Sequence, residues 1–455
     1  MDLSSLVKAY DVRGTVPDQL DESIARAIGA AFIDVVGADR IVTAHDMRDS
    51  GPGLARAFAE GAAQRGASVV EAGLASTDML YFASGHLDLP GAMFTASHNP
   101  AKYNGIKMCR ARAVAIGQDS GLTEIRDIAE RYLDEGMPSD DAQGEVDQVD
   151  VLRGYAEHLR GLVDLSGIRP LRVVVDAGNG MGGYTVPAVL GDAVLPALPL
   201  TIVPLYFELD GSFPNHVANP IEPENIVDLQ RAVVAESADI GIAFDGDADR
   251  CFVVDAAGVP VSPSAITALV ATRELAKTPG ATVIHNLITS HAVPEIVREH
   301  GGNPVRTRVG HSFIKGEMAR EGAVFGGEHS AHYYFKDFWF ADTGMLAAMH
   351  VLAALGEQDK TLADLTAEFS RYAASGEINS TVDDQAGRVD AIRETFTDRA
   401  SAVDELDGLT VQLPDGTWFN VRASNTEPLL RLNVEAPTES AMAAIRDEAL
   451  AVIRA

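Results

Sequence analysis

At 455 residues the chain exceeds what one hydrophobic core organises, so three or four domains of about 100 to 150 residues are expected. Hydrophobic residues at 46% and charged residues at 22% exclude wholesale disorder and a fibrous repeat. The formal charge of −30, from 66 acidic against 36 basic residues, opposes nonspecific binding to nucleic acid; any anionic ligand requires the few cations to be gathered at one place, with metal to offset the carboxylates.

The opening residues show no basic segment leading into an apolar core. No later apolar run reaches about 18 residues without a charge or a breaker, so a cytoplasmic protein with no membrane partner is expected. Cys109 and Cys251 stand far apart in no metal-ligand spacing, which argues against a disulfide framework or a zinc site.

Residues 1–150 alternate helix and strand: a helix near Asp21 to Val36, a strand Arg40 to Ala44, a helix Gly53 to Arg65, and a strand Ala67 to Ala72. This alternation predicts α/β architecture. Ahead of it, Lys8 to Gly14 reads as a polar turn whose Arg13 meets either an anion or solvent. A further apolar strand leads into Thr95-Ala96-Ser97-His98-Asn99-Pro100, which presents one hydroxyl on a loop. That loop is either a site of chemistry or a plain polar turn, since Ser and Asn-Pro favour turns. Asp134 to Asp150, rich in carboxylates, reads as a charged connector between domains.

A second α/β unit covers 151–256, with a helix from Val151 and strands Arg172 to Val175, Ile202 to Phe207 and Asp239 to Phe244. Gly178-Asn179-Gly180-Met181-Gly182-Gly183 satisfies G-x-G-x-x-G between a strand and a helix. No acid ends a clear second strand about 20 residues on, so tight packing of a turn is the preferred reading over a dinucleotide site. The unit ends in Asp245-Gly246-Asp247-Ala248-Asp249-Arg250, three carboxylates at alternate positions after an apolar strand. Such crowding repels unless a hard cation sits among the anions. A calcium loop needs Gly at its sixth position and Glu at its twelfth, where this chain has Arg250 and Ala256. Magnesium, which takes few protein carboxylates, fits better; a solvated acidic turn is the alternative.

A third α/β unit, 257–372, contains the basic run Arg306 to Lys315 and then Gly327-Glu328-His329-Ser330-Ala331-His332, whose Glu, Ser and His are groups that read sugar hydroxyls. The remainder, 373–455, has three predicted strands and a closing helix Glu439 to Ile453, a smaller α+β domain. Its turn Arg422 to Pro428 gathers a guanidinium, two hydroxyls and an amide, a set suited to phosphate.

Carrying Tyr10 to Gly14, Thr95 to Pro100, Asp245 to Arg250, Gly327 to His332 and Arg422 to Pro428 in this order, the chain resembles the α-D-phosphohexomutase family, most closely its bacterial phosphomannomutase/phosphoglucomutase members. The resemblance spans nearly the whole length. It implies four domains around a central cleft, with a phosphorylated Ser97 and magnesium held by Asp245, Asp247 and Asp249 together with Ser97. It further implies sugar contacts from Glu328 and Ser330, phosphate contacts from Arg422, Ser424, Asn425 and Thr426, and substrate contacts from Tyr10 and His311. Arg250 is implied to stabilise the charge in transfer. For the proton of the sugar hydroxyl the resemblance points to Lys107 and His332, with Arg13 nearby, and does not choose among them.

The implied reaction interconverts hexose 6-phosphate and hexose 1-phosphate through a hexose 1,6-bisphosphate, which also serves as activator. Small hexose phosphates are the expected partners, and the chain is expected as a monomer or homodimer. His98 beside Ser97 is expected to support the loop, because adjacent residues rarely achieve the geometry of a Ser-His hydrolase. One departure stands out: the family usually has Lys or Arg where this chain has Ile288, with Arg306 or Arg308 as the nearest substitutes. The competing readings are a phosphoglucosamine mutase, a magnesium-dependent sugar phosphatase and a sugar-phosphate sensor without turnover.

Overall fold

The computed structural model describes residues 2–138, 144–424 and 429–455, with the backbone alone described at His311 and Ser312. The first long helix shows how local sequence sets an element. The Asp21 carboxylate accepts the Ile24 N–H, the helix Glu22–Val36 follows, and Gly37 ends it in the left-handed region at φ 64°. Its apolar residues Ile24, Ile28 and Phe32 repeat at helical spacing, and all are buried.

The first sheet has seven strands, with the central order Val12–Thr15, Tyr103–Arg110, Gly91–Phe94, Arg40–His45, Ser68–Leu74, Val146–Gln148. Arg40–His45 pairs in parallel with both Gly91–Phe94 and Ser68–Leu74, while Tyr103–Arg110 runs antiparallel to Gly91–Phe94 and Val12–Thr15. Two expectations are corrected here. Arg13 lies on a strand, opposite Gly105, and not in a turn. The charged connector contributes the strand Val146–Gln148 to this sheet, pairing with Val69–Glu71; its exposed position within an acidic stretch concealed that role because a strand at a sheet edge needs few apolar residues.

The second sheet runs Pro260–Val261, Cys251–Asp255, Ile240–Phe244, Leu171–Asp176, Leu200–Leu205, and the third Asn303–Thr307, Thr282–Asn286, Phe325–Gly327, Tyr333–Phe335, Ala341–Asp342. Both mix parallel and antiparallel pairs. The basic run 306–315 divides between the end of a strand and the helix His311–Glu321, separated by Gly310 at φ 130°. The C-terminal domain is a five-stranded antiparallel sheet with the helices Gln385–Phe396 and Glu439–Ile453. Three mixed α/β units and an α+β tail are therefore the architecture.

One apolar core runs continuously through the first three units, joining Phe82, Val175 and Leu269, whereas Phe396, Phe419 and Leu432 belong to a separate core in the C-terminal domain. Ser97, Asp245 and Glu328 each follow the carboxyl end of a strand that has a parallel neighbour, the place where open α/β sheets gather ligands. Among the described residues no helix is long and apolar enough to cross a membrane.

Candidate active site

Ser97 stands at φ 49°, a left-handed conformation that non-glycine residues adopt uncommonly. Its N–H donates to Thr95 Oγ1 at 2.9 Å, and its hydroxyl donates to Asp245 Oδ2 at 2.8 Å. The loop of the second unit reaches it by close backbone approach: a Cβ on Gly246 would lie 2.3 Å from the Ser97 carbonyl oxygen. Behind it, Gly180 packs so tightly on Gly246 that a Cβ would come within 2.6 Å of the Gly246 oxygen, and Met181 N–H donates to that same oxygen at 2.9 Å. Gly180 of the glycine-rich turn thus seats the acidic loop, while a Cβ on Gly183 would come within 2.2 Å of the Phe207 carbonyl oxygen, so close packing explains these two glycines.

Asp245, Asp247 and Asp249 are fully buried, and each offers an oxygen within a cluster whose ligand atoms lie within 4.8 Å of one another. Arg250 Nε donates to Asp245 Oδ2 at 2.8 Å, and its Nη2 lies 3.5 Å from Ser97 Oγ. Lys107 Nζ donates to Asp247 Oδ2 at 2.7 Å and to Asp249 Oδ2 at 2.6 Å; Thr77 Oγ1 donates to Asp247 Oδ2 at 2.6 Å. Burial, opposed by Arg250 and reinforced by Asp249 and Asp247, pushes the Asp245 carboxyl up to about 7. Burial acts the same way on Asp247, but Lys107 and the Thr77 hydroxyl outweigh it and hold this carboxyl below the usual range. The reciprocal effect on Lys107 is that the two aspartates overcome burial and raise its ammonium well above the ordinary value.

The cluster fits a hard cation. Asp247 Oδ1 and Asp249 Oδ1 are buried without a hydrogen-bond partner among the described residues, which is costly unless a ligand completes them. The three carboxylate oxygens of the triad suit an oxygen-preferring metal, and Asp249 is shared with a second group formed with His332 and Asp342.

His332 is placed on the far side of the triad, with Nδ1 3.0 Å from Asp342 Oδ2 and 3.8 Å from Asp249 Oδ1. Burial alone would lower its pKa, but Asp249 and Asp342 outweigh that and raise it. Arg13 donates to the Asn99 side chain, pairs with Asp11, and lies 3.5 Å from the Ala96 carbonyl. His98 does approach Ser97: its Nδ1 is 3.3 Å from Ser97 Oγ. The two side chains are therefore close, although the Ser97 hydroxyl donates to Asp245 and not to the imidazole. A guanidinium only donates, however, and Arg250 Nη2 lies 2.6 Å from the same Nδ1, so that lone pair is occupied and the imidazole proton sits on Nε2. Burial and the charges of Arg250 and Arg13 hold His98 neutral, well below the ordinary histidine value. It supports the loop.

Residues of the first, third and C-terminal units converge on Tyr10. Its phenol, raised by burial, lies in the fields of Glu328, Asp407, Arg308 and Arg422. Glu328 is 2% exposed and accepts from Tyr334 OH at 2.5 Å, Asn286 Nδ2 at 3.1 Å and Gly310 N–H at 3.3 Å. Ser330 follows it in the same loop, partly buried, before Ala331 at φ 67°. Arg422 donates to Glu377 Oε2 at 2.8 Å, and Ser424 N–H closes the turn onto Leu429 O at 2.8 Å. Asn425 and Thr426 lie outside the described residues, as does the side chain of His311.

Lys315, the last residue of the basic run, is buried against Asp342 at 2.6 Å and the Tyr81 ring at 3.9 Å. Ile288 is buried where the third unit meets the C-terminal domain, in a cavity also lined by His329 and Trp418. Of its two substitutes, Arg306 is committed to both oxygens of Asp404 at 2.6 Å, whereas the exposed Arg308, stacked on Phe313, acts with Arg422 on Tyr10.

Sequence reasoning missed Thr77, Asp342 and the pair Asp46 and Arg48. Arg48 is 2% exposed and donates to the carbonyls of the Ser97 loop. The available signal was Asp46-Met47-Arg48, a charged run directly after the strand Arg40–His45 at the same sheet end as Ser97.

Family models agree with this assembly. Those of phosphoglucomutase/phosphomannomutase alpha/beta/alpha domains I, II and III match residues 4–135, 153–258 and 262–372, and that of the C-terminal domain matches 377–452. A protein of Xanthomonas campestris pv. campestris described as phosphohexose mutases is 41% identical over 445 residues, 97% of each chain. A phosphomannomutase of Escherichia coli is 40% identical over 453 residues, 98% of each chain. The crystal structure of a phosphoglucomutase/phosphomannomutase family protein from Burkholderia thailandensis superposes with a TM-score of 0.87 at 34% identity, covering 100% of this chain and 98% of that one. Four domain models in the order of the four sheets, together with relatives alike along nearly the whole length, establish that this chain belongs to the phosphoglucomutase/phosphomannomutase family.

Proposed function

We propose that the protein is a phosphomannomutase that also acts on glucose phosphates, interconverting hexose 6-phosphate and hexose 1-phosphate through a phosphoserine at Ser97. The observation that carries this reading is the buried contact of Ser97 Oγ with Asp245, inside a carboxylate triad flanked by Arg250 and Lys107. The P–O bond at Ser97 breaks as a sugar hydroxyl oxygen bonds to phosphorus. The resulting hexose 1,6-bisphosphate turns round and returns its other phosphoryl group to Ser97, so the same compound added from outside primes the enzyme.

Asp245, Asp247 and Asp249, with the oxygen carried by Ser97, hold magnesium, which when bound supplies positive charge to the transferring phosphoryl group. Arg250 lies beside Ser97 Oγ and stabilises the same charge from the protein side. The hydroxyl proton is handled within the group Lys107 and His332, which contact the triad, and Arg13, which lies beside the Ser97 loop. Tyr10, Glu328 and Ser330 face the sugar, while His311, Arg422, Ser424, Asn425 and Thr426 receive the phosphate that is not being transferred. The units are taken as 1–150, 151–256, 257–372 and 373–455; pairing of Pro260–Val261 with Cys251–Asp255 favours moving the second division to residue 261. The protein works in the cytoplasm as a monomer or homodimer.

The test is conversion of mannose 1-phosphate with glucose 1,6-bisphosphate and magnesium, together with intact mass. Wild type is expected to carry one phosphate, and Ser97→Ala to lose both that mass and activity by roughly 10³-fold or more. Unimpaired turnover by Ser97→Ala overturns the reading. Phosphate release equal to substrate loss makes the protein a phosphatase, and faster conversion of glucosamine phosphate than of mannose phosphate reassigns the sugar.

A further inference from the structure

Arg48 belongs to none of the motifs that carry the resemblance, yet it is among the largest side chains the protein buries completely. Its Nη2 donates to Ser97 O at 2.8 Å and Asn99 O at 2.6 Å; its Nη1 donates to Pro100 O at 3.0 Å and Tyr103 O at 2.9 Å. Three of the acceptors are backbone carbonyls of the loop that carries Ser97, and the fourth belongs to Tyr103, which opens the strand that follows it. The Nε edge faces Asp46 Oδ2 at 3.3 Å, and Asp46 Oδ1 accepts the Arg48 N–H at 3.0 Å, so the carboxylate both balances the buried charge and fixes the start of the side chain.

A guanidinium is suited to this task. It is planar, permanently charged and presents its donors in a fixed fork, whereas an ammonium on a flexible stem has three donors and no fixed plane. The loop also needs an external hold, because Ser97 sits at φ 49° and such a conformation persists only where its surroundings over-determine it. The second unit, which brings Asp245, also closes over Arg48. The Phe213 ring lies 5.1 Å from the guanidinium carbon, and a Cβ on Gly211 would come within 2.8 Å of Arg48 Cα. The Ser97 loop is therefore registered against the second unit twice, once through Gly246 on the Ser97 carbonyl and once through Phe213 on Arg48.

We propose that Arg48 is a positioning residue for phosphoryl transfer, holding the Ser97 loop so that Ser97 Oγ meets Asp245 and Arg250, with Phe213 as the lid that keeps its guanidinium in plane. This rests on the mutase reading. Arg48 touches neither Ser97 Oγ nor the triad; it acts through four carbonyls. Substrate contacts in the third unit and the C-terminal domain are untouched by its loss, so the effect falls on turnover and not on substrate binding.

The experiment compares full-length wild type, Ser97→Ala, Arg48→Lys and Phe213→Ala in phosphate uptake from glucose 1,6-bisphosphate by intact mass, in kcat and KM for mannose 1-phosphate, and in circular dichroism. Arg48→Lys is expected to keep the wild-type spectrum and a KM within about threefold while kcat and the rate of phosphate uptake fall about 30-fold or more. Phe213→Ala, at a partly exposed position, is expected to fold normally and to lower kcat about fivefold at unchanged KM. Wild-type kcat in a folded Arg48→Lys overturns the proposal, as does a loss that appears wholly in KM. If Arg48→Lys does not fold, Phe213→Ala decides, and full kcat there overturns it. Failure of the wild type itself to take up phosphate at Ser97 overturns the mutase reading and this inference with it, whereas wild-type uptake matched by Arg48→Lys removes only the inference.

Discussion

The contacts that join the first three units differ in kind from those that join the third unit to the C-terminal domain. Inside the first three, contacts are buried and directional. Asp78 of the first unit accepts from Tyr155 OH of the second at 2.6 Å and from Thr343 Oγ1 of the third at 2.7 Å, and also from Ser76. Thr77 N–H donates to Asp247 O at 3.1 Å, and one apolar core passes through all three units. The C-terminal domain keeps its own core and meets the third unit through the ion pair of Arg306 with Asp404, His291 stacked on Trp418 at 4.9 Å, and a hydrogen bond from the His291 N–H to Glu435 Oε1 at 2.9 Å. The lesson is a division of labour. The groups of the aspartate triad are fixed by dry packing, while the C-terminal domain is attached in part by charged contacts, Arg306 with Asp404 among them, that solvent and salt weaken.

The largest test of that division is Asp247→Asn. It removes the carboxylate that ties Lys107 and Thr77 to the triad, and kcat is expected to fall by about 10² to 10³ with a higher magnesium requirement, measured by titrating activity against magnesium. Turnover at the wild-type rate would break the assignment of chemistry to the buried contacts.

The next concerns Asp78, whose carboxyl is pushed up to about 6 by burial, against the hydrogen bonds from Ser76, Tyr155 and Thr343 and with Asp249 adding to the rise. Between about pH 4 and pH 6 the folded protein keeps a proton that the unfolded chain has released, so this group's contribution to stability declines as pH rises through that window. Asp78→Asn abolishes that decline. The stability of wild type relative to Asp78→Asn should fall by on the order of 1 kcal/mol from pH 5 to pH 7.5, read by denaturant unfolding at the two values. A constant difference would mean that Asp78 is not held in a dry junction.

The smallest effect is expected at the outer contact. Its charged partners are only half-buried, so Arg306→Met should change the melting temperature by no more than about 2 °C and KM by about threefold, and the KM change should vanish in 0.5 M salt. A salt-independent loss of stability would show that this junction is packed like the inner ones.

Much of the site was legible in the sequence because its chemistry demands residues that packing does not. Three alternating aspartates after an apolar strand make no sense in a core without a cation, and Asp245, Asp247 and Asp249 are buried together around oxygens that lack hydrogen-bond partners among the described residues. The strands that carry Ser97 and Asp245 announced themselves as continuous apolar runs, since strands covered on both faces are apolar throughout. Less legible were elements whose sequences are polar for other reasons. Val146–Gln148 is an exposed edge strand inside an acidic stretch, and Val12–Thr15 is short and begins within a polar run.

What the sequence determined by itself is the local half of the molecule: the alternation that builds α/β units, the glycines that permit close turns, and the oxygen-rich clusters that call for a cation and for phosphate. Only the tertiary structure decided which of these meet. The hydroxyl of Ser97 and the carboxylate of Asp245 are separated by more than a hundred residues of chain yet meet at 2.8 Å, and Arg48 acquires its role solely because four carbonyls of a distant loop and the strand that follows it turn toward it. Backbone carbonyls are common to every residue and leave no trace in side-chain identity, so a guanidinium that reads them becomes visible only when the chain is folded.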